Sequence, residues 1–164
     1  MQCHCSKAIF TEEEIKNYET AVELNKTQLI QAEKDAEGKI LNTVTHDYPL
    51  EFPQPGWSQQ DPAHWWQAVK KGMPQLLKGI DASSGVAGQM HGLVVLDSQD
   101  NIIRPAILWN DGRTAKQVDY LNNVIGKDKL SALTANIAFA GFTAPKILWM
   151  QENEPENFAK IAKI

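Results

Sequence analysis

The sequence predicts a mixed α/β domain, and three observations predict it. Lys39 to Tyr48 alternates apolar Ile40 and Val44 with polar neighbours, the pattern of a strand. Two apolar runs, Val86 to Asp97 and Ile102 to Trp109, are split by the polar turn Ser98-Gln99-Asp100-Asn101, which favours two buried antiparallel strands joined by a hairpin. Between and after these strands lie segments with helical start signals and a helical apolar period.

Taken in order, Thr11 to Lys34 holds no Gly or Pro, opens with a Thr and three Glu residues, and spaces Ile15, Tyr18, Val22, Leu29 and Ala32 roughly as one helix face would. It reads as one amphipathic helix. Asp35-Ala36-Glu37-Gly38-Lys39 is a turn cluster that hands over to the Lys39–Tyr48 strand. From Pro49 to Pro62, four prolines and a Gly surround Trp57, which suits an extended surface loop. Asp61 is then a good N-cap with Pro62 at the first helical position, and Trp65, Trp66, Val69, Met73, Leu76 and Leu77 supply an apolar face ended by Gly79. Beyond Asp111 helices are expected over Arg113–Ile125, Lys127–Thr134, Ala144–Glu152 and Pro155–Lys163.

Composition excludes several partners. Twenty acidic and 16 basic side chains are mixed along the chain for a net charge of -4, so no basic stripe exists to neutralise a nucleic-acid backbone. The longest apolar stretches, such as Ile102 to Trp109, are broken by Arg104 and Pro105 and are too short to span a bilayer. No Lys- or Arg-led apolar block heads the chain, so the cytoplasm is the expected compartment. Cys3-His4-Cys5 contains soft metal ligands, but no further Cys completes a tetrahedral site, and this end reads as a frayed terminus without a metal.

Three strings could carry chemistry. Gly88-Gln89-Met90-His91-Gly92 interrupts an apolar strand with two glycines, which mark close approach of a ligand or another backbone. Gln89 and His91, at alternate strand positions, would share a face and could hydrogen-bond a polyol, although a satisfied structural histidine fits the same pattern. Trp109-Asn110-Asp111-Gly112-Arg113 ends an apolar strand with an aromatic plate, an amide, a carboxylate and a guanidinium, the parts that sugar recognition uses. Asp111 capping the next helix and pairing with Arg113 explains the same residues equally well. Gly141 to Trp149 starts a helix with Thr143 as the expected cap and Lys146 as a solvent anchor above a buried Trp149.

These strings in this order, together with Pro55-Gly56-Trp57-Ser58-Gln59-Gln60-Asp61-Pro62, Trp65-Trp66 and Gly141 to Asn153, resemble the FGGY carbohydrate kinase family and, within it, the xylulokinase-like members. The resemblance runs from about Asp35 to the C-terminus, leaving residues 1–34 as a non-family segment and 35–164 as part of the family's N-terminal domain. It implies one of two actin-like, RNase H-like domains, and transfer of the γ-phosphoryl of Mg2+-bound ATP to D-xylulose or a related ketose, with a homo-oligomer possible. By the same resemblance Met90 and His91 line the sugar site, Trp109 packs on the sugar, Asp111 with Arg113 shapes its floor, and Gln89 and Asn110 support them.

The departures from the family pattern carry their own expectations. Family members open with a strand, an Asp-x-Gly-Thr phosphate turn and a second strand, whereas Met1 to Lys34 shows neither strand nor turn and Gly38 is the only Gly in the first fifty residues. The second domain, with the family's base aspartate and adenosine-binding glycines, is absent as well. The chain is therefore expected to be a fragment that lacks a catalytic residue, binds no ATP or Mg2+ by itself, and leaves the backbone edges beside the missing strands unpaired.

Overall fold

The structure, a computed structural model, describes residues 18–24, 28–35, 39–77, 83–88 and 90–164. The expected cysteine-bearing terminus lies outside the described residues. Two units divide the chain, Met1–Tyr48 with Trp65–Gly88, and Pro49–His64 with Gln89–Ile164.

In the first unit, the stretch expected to be one helix carries two strands instead, β1 (Tyr18–Leu24) and β2 (Gln28–Asp35). They pair antiparallel from Tyr18 opposite Asp35 to Leu24 opposite Leu29. The apolar spacing that suggested a helix is also met by period two over each short half, and Tyr18, Thr20, Val22 and Ile30 are strand-favouring residue types. Backbone pairing decided between the two periods. Strand β3 (Ile40–Asp47) forms where expected and pairs antiparallel with β2, with an irregularity of register at Glu33/Lys34.

The fourth member of this sheet, β5 (Ser83–Ala87), runs parallel to β1, giving the order β3-β2-β1-β5. The opening pair of strands is thus present, and β3 and β5 each have a backbone partner where unpaired edges had been expected. Helix α1 (Pro62–Leu76) starts as predicted, with Asp61 Oδ1 accepting the Ala63 N–H at 2.9 Å. Tyr48 and Ala68 form this unit's small core, and Trp65, Val69 and Met73 pack against them. Trp66 is 61% exposed, with the Lys70 ammonium 5.9 Å from its ring centre.

The second unit is built on short extended pieces. Strand β4 (Gln59–Gln60) pairs antiparallel with β6 (Ala106–Ile107), and single bridges extend the ladder through Glu51 with Gln59 and Leu93 with Ile107. The expected hairpin forms only in its inner part. Leu93 and Leu96 bridge to Ile107 and Ile102, and Asp97 Oδ1 closes the turn by accepting the N–H groups of Gln99 and Asn101 at 2.9 Å each. The outer end of the first run, Val86 and Ala87, instead belongs to β5 in the other sheet.

The predicted Arg113–Ile125 helix appears as α2 (Ala115–Asp119) running into a π-helical segment, Tyr120–Gly126. Gly126, at φ 97°, then resets the chain for α3 (Lys127–Thr134). Helix α4 (Thr143–Asn153) has Phe142 rather than Thr143 at its N-cap, without a side-chain capping bond from that position. The last helix, α5 (Pro155–Phe158), is shorter than expected because the chain turns back to bond Leu96, whose N–H donates to the Lys163 carbonyl at 3.0 Å. Leu93, Val95, Ile107, Trp149 and Met150 make the core here. No helix among the described residues is long and apolar enough to cross a membrane.

Met150→Ala should destabilise the chain by about 2–5 kcal/mol in denaturant unfolding, because the fully buried thioether leaves a cavity on α4. Burial pushes the Tyr48 phenol from 10.0 up to about 12. Between these values an unfolded chain gives up the proton and the folded chain keeps it, so stability falls as pH rises through that window. Tyr48→Phe should abolish that alkaline loss, measured as the change in unfolding midpoint above the ordinary tyrosine range.

Candidate functional site

The second candidate string folds around a carboxylate. After β6 ends at Ile107 the chain turns, with the Leu108 N–H on the Ser58 carbonyl at 3.0 Å and the Asp111 N–H on the Leu108 carbonyl at 3.1 Å. This turn directs Asp111 inward and leaves Trp109 and Asn110 exposed. Asp111 Oδ2 accepts from the Ser58 N–H at 2.5 Å and from Arg113 Nη2 at 2.8 Å. Oδ1 accepts from the Arg113 backbone N–H and from Nε, each at 2.9 Å. The pairing is bidentate, and both side chains are 0% exposed.

The guanidinium of Arg113 is held by rings as well as by charge. Its central carbon is 4.0 Å from the Trp57 ring centre and 5.0 Å from that of Trp149, while the two indoles meet edge to face at 5.3 Å. Gln59 Oε1 accepts from both Arg113 Nη2 and Arg104 Nη2 at 3.2 Å. Arg104 pairs with Glu154 at 3.2 Å, and burial lowers its affinity for the proton. Asp111 and Arg113 thus underlie the turn, with the Asp111 oxygens and Arg113 Nε and Nη2 directed at each other and at Ser58 and Gln59, and Arg113 Nη1 buried without a hydrogen-bond partner among the described residues.

Met90 and His91 belong to a turn rather than to a strand, so the expected strand alternation of Gln89 and His91 does not apply. Gln89 itself lies outside the described residues. His91 has φ 65°, a left-handed conformation unusual for a side-chain-bearing residue, and its imidazole stacks on Phe142 at 4.7 Å and 27°. Met90 is 64% and Trp109 46% exposed, and His91 and Asn110 are exposed too. Of the seven expected site residues, the structure places these four at the surface of the second unit and Asp111 and Arg113 beneath it.

Two further residues tie these turns together, and neither was expected to. Lys146, predicted to anchor α4 in solvent, is 0% exposed, and its ammonium donates to the carbonyls of His91 and Gly141 at 2.6 Å each. Burial lowers its pKa from 10.5 to about 8; the Asp111 carboxylate opposes that fall and the Arg113 charge adds to it. Gly141 lies so close to the Trp109 turn that a Cβ there would be 2.5 Å from the Trp109 carbonyl oxygen. Helical spacing did carry a signal for Lys146, since it shares one stripe of α4 with Trp149 and Met150, both buried.

Asp111→Asn should cost about 3–5 kcal/mol of stability, because it leaves the Arg113 charge buried without its counter-charge. For Lys146, between about pH 8 and 10.5 the unfolded chain still holds the proton that the folded chain has released, so stability rises with pH across that window. A pH series of unfolding midpoints should show this rise in the native chain and lack it in Lys146→Met.

Residues 26–164 match the N-terminal domain of the FGGY family of carbohydrate kinases, a match that begins ahead of the Asp35 turn. The xylulose kinase of Escherichia coli K12 is 42% identical over 133 residues, covering 78% of this chain and 27% of that protein. The xylulose kinase of Lactococcus lactis is 39% identical over 153 residues, covering 90% of this chain and 30% of that protein. Among solved structures, a xyloylose kinase from Brucella ovis superposes with a TM-score of 0.78 at 34% identity, covering 88% of this chain and 31% of its own. A xylulose kinase from Bifidobacterium adolescentis gives 0.77 at 30% identity, covering 89% of this chain and 31% of its own. The chain therefore spans less than a third of the length of these relatives, shares their actin-like fold over most of its residues, and belongs to the FGGY family of carbohydrate kinases.

Proposed function

We propose that this chain supplies the sugar-holding face of a xylulokinase-type enzyme, which transfers the γ-phosphoryl of ATP to D-xylulose. The observation that carries this reading is the group of exposed residues Met90, His91, Trp109 and Asn110, presented on turns tied to one another over the buried Asp111–Arg113 pair. An indole face suits the C–H surface of a carbon chain, and an imidazole and a primary amide offer donors and acceptors to its hydroxyls. Met90 adds a polarizable contact that adapts to the rest of the ligand. The buried pair holds the turn that presents Trp109 and Asn110 at the surface.

For the 164 residues alone, the expected activity is binding without phosphoryl transfer. Transfer depends on positioning and charge stabilisation around the phosphates, and no Asp-x-Gly-Thr string occurs in this sequence. The second reading is a non-catalytic pentulose-binding or interaction module, or a decayed fragment; the exposed turns favour the module.

Titration calorimetry of the chain with D-xylulose should show binding, and Trp109→Ala should weaken it about tenfold, the loss of one stacking surface. Absence of heat at millimolar sugar would sink the proposal. Formation of an ATP-dependent sugar phosphate by the isolated chain would overturn the expectation of binding alone.

A further inference from the structure

Lys146 is a fully buried titratable side chain for which sugar binding as proposed above has no use. It stands on α4, whose position is set by Trp149 and Met150 in the core. From there its ammonium reaches out of the helix to two carbonyls in different turns, His91 and Gly141. The Gly141 turn in turn abuts the Trp109 carbonyl, at a distance only glycine permits. Beside this link, Phe142 stacks on the His91 ring and Phe139 meets Phe142 edge to face at 5.2 Å.

We infer that Lys146 is a positioning residue for the sugar-holding face, its ammonium fixing the carbonyls of His91 and Gly141 so that the His91 and Trp109 turns keep one spacing. The inference rests on the proposed sugar site. Its physical basis is the backbone of His91. A left-handed conformation is uncommon at a residue with a Cβ, and surrounding contacts that hold the backbone favour it. A charge-assisted bond to the His91 carbonyl is such a contact, and it fixes the direction of the peptide that follows the imidazole. The second donor goes to Gly141, so the same ammonium holds the segment that carries Phe142. Asp111 favours the charged form of Lys146 and Arg113 opposes it. A lysine is suited to this task because a flexible stem can cross the core and end in three rotatable donors.

The test is NMR spectroscopy and calorimetry on the whole chain, comparing the native protein with Lys146→Met and, as a control at an exposed lysine, Lys116→Met. In the native, sugar-free chain the Lys146 ammonium protons should exchange with water more slowly than those of Lys116, and the His91 ring signals should carry the upfield shift of a stacked imidazole. Lys146→Met should lose that shift while the Leu93 and Val95 methyl signals stay in place, and D-xylulose should bind about tenfold more weakly, as expected for loss of a charge-assisted bond. Lys116→Met should change neither. Retention of native His91 signals and affinity in Lys146→Met would overturn the inference, as a merely structural lysine predicts. Where Lys146→Met fails to fold, ammonium exchange in the native chain decides, and exchange as fast as at Lys116 overturns it. A native chain that shows the slow ammonium and stacked His91 yet binds no D-xylulose would refute the sugar reading and support the clamp as a holder of the turn.

Discussion

Within three residues the chain passes from an exposed indole at Trp109 to a carboxylate with no contact with water at Asp111, and the buried pairing of Asp111 with Arg113 makes that reversal possible. Burying a carboxylate is costly unless its oxygens are satisfied. Here they accept four N–H groups, one from Ser58 and three from Arg113. The guanidinium is then covered by Trp57 and Trp149, which excludes water and keeps the fork in one plane. Such a pair adds little net stability over well-packed apolar groups of the same size, but it admits only one arrangement of its partners. Its consequence is geometric. The loop bearing Trp57 and Ser58, the turn of Trp109 and Asn110, and helix α4 are held in one register, and the exposed residues inherit their directions from it.

Close backbone approach does the rest of the positioning. Gly112 donates its N–H to the Gly56 carbonyl at 2.8 Å, and Gly141 abuts the Trp109 carbonyl, so two glycines allow three loops to touch without side chains between them. Lys146 adds a further charged group to that contact and connects it to the helix core. A polar ligand face is therefore built on turns, but its supports are a helix and a small apolar core, which is how a loop site acquires definite geometry.

Much of this was legible in residue types and spacing. Asp61-Pro62 announced α1, the polar Ser98–Asn101 segment announced a turn, and the five residues from Trp109 announced a local Asp–Arg pair. The structure realises the Asp111–Arg113 pairing and leaves Trp109 and Asn110 at the surface. The stretch before Lys34 was misjudged because short runs of seven and eight residues fit periods of two and 3.6 almost equally well. The neighbours that select the strand, β3 and β5, lie elsewhere in the chain, and Ser83–Ala87 is more than fifty residues away from β1.

The sequence by itself determined the family, the sugar-kinase character of its strings, and the local elements whose signals are contained within a few residues, because capping, turn chemistry and motif identity are local properties. Tertiary structure decided the rest. It chose strands over a helix for Tyr18–Leu24 and Gln28–Asp35, placed Lys146 in the core instead of in solvent, and sorted the expected site residues into those exposed and those buried. Each of these depends on long-range partners: a parallel strand, two carbonyls from distant turns, and a pair of tryptophans around one guanidinium. The burial and pairing energies that such partners supply exceed the local preferences from which a sequence is read.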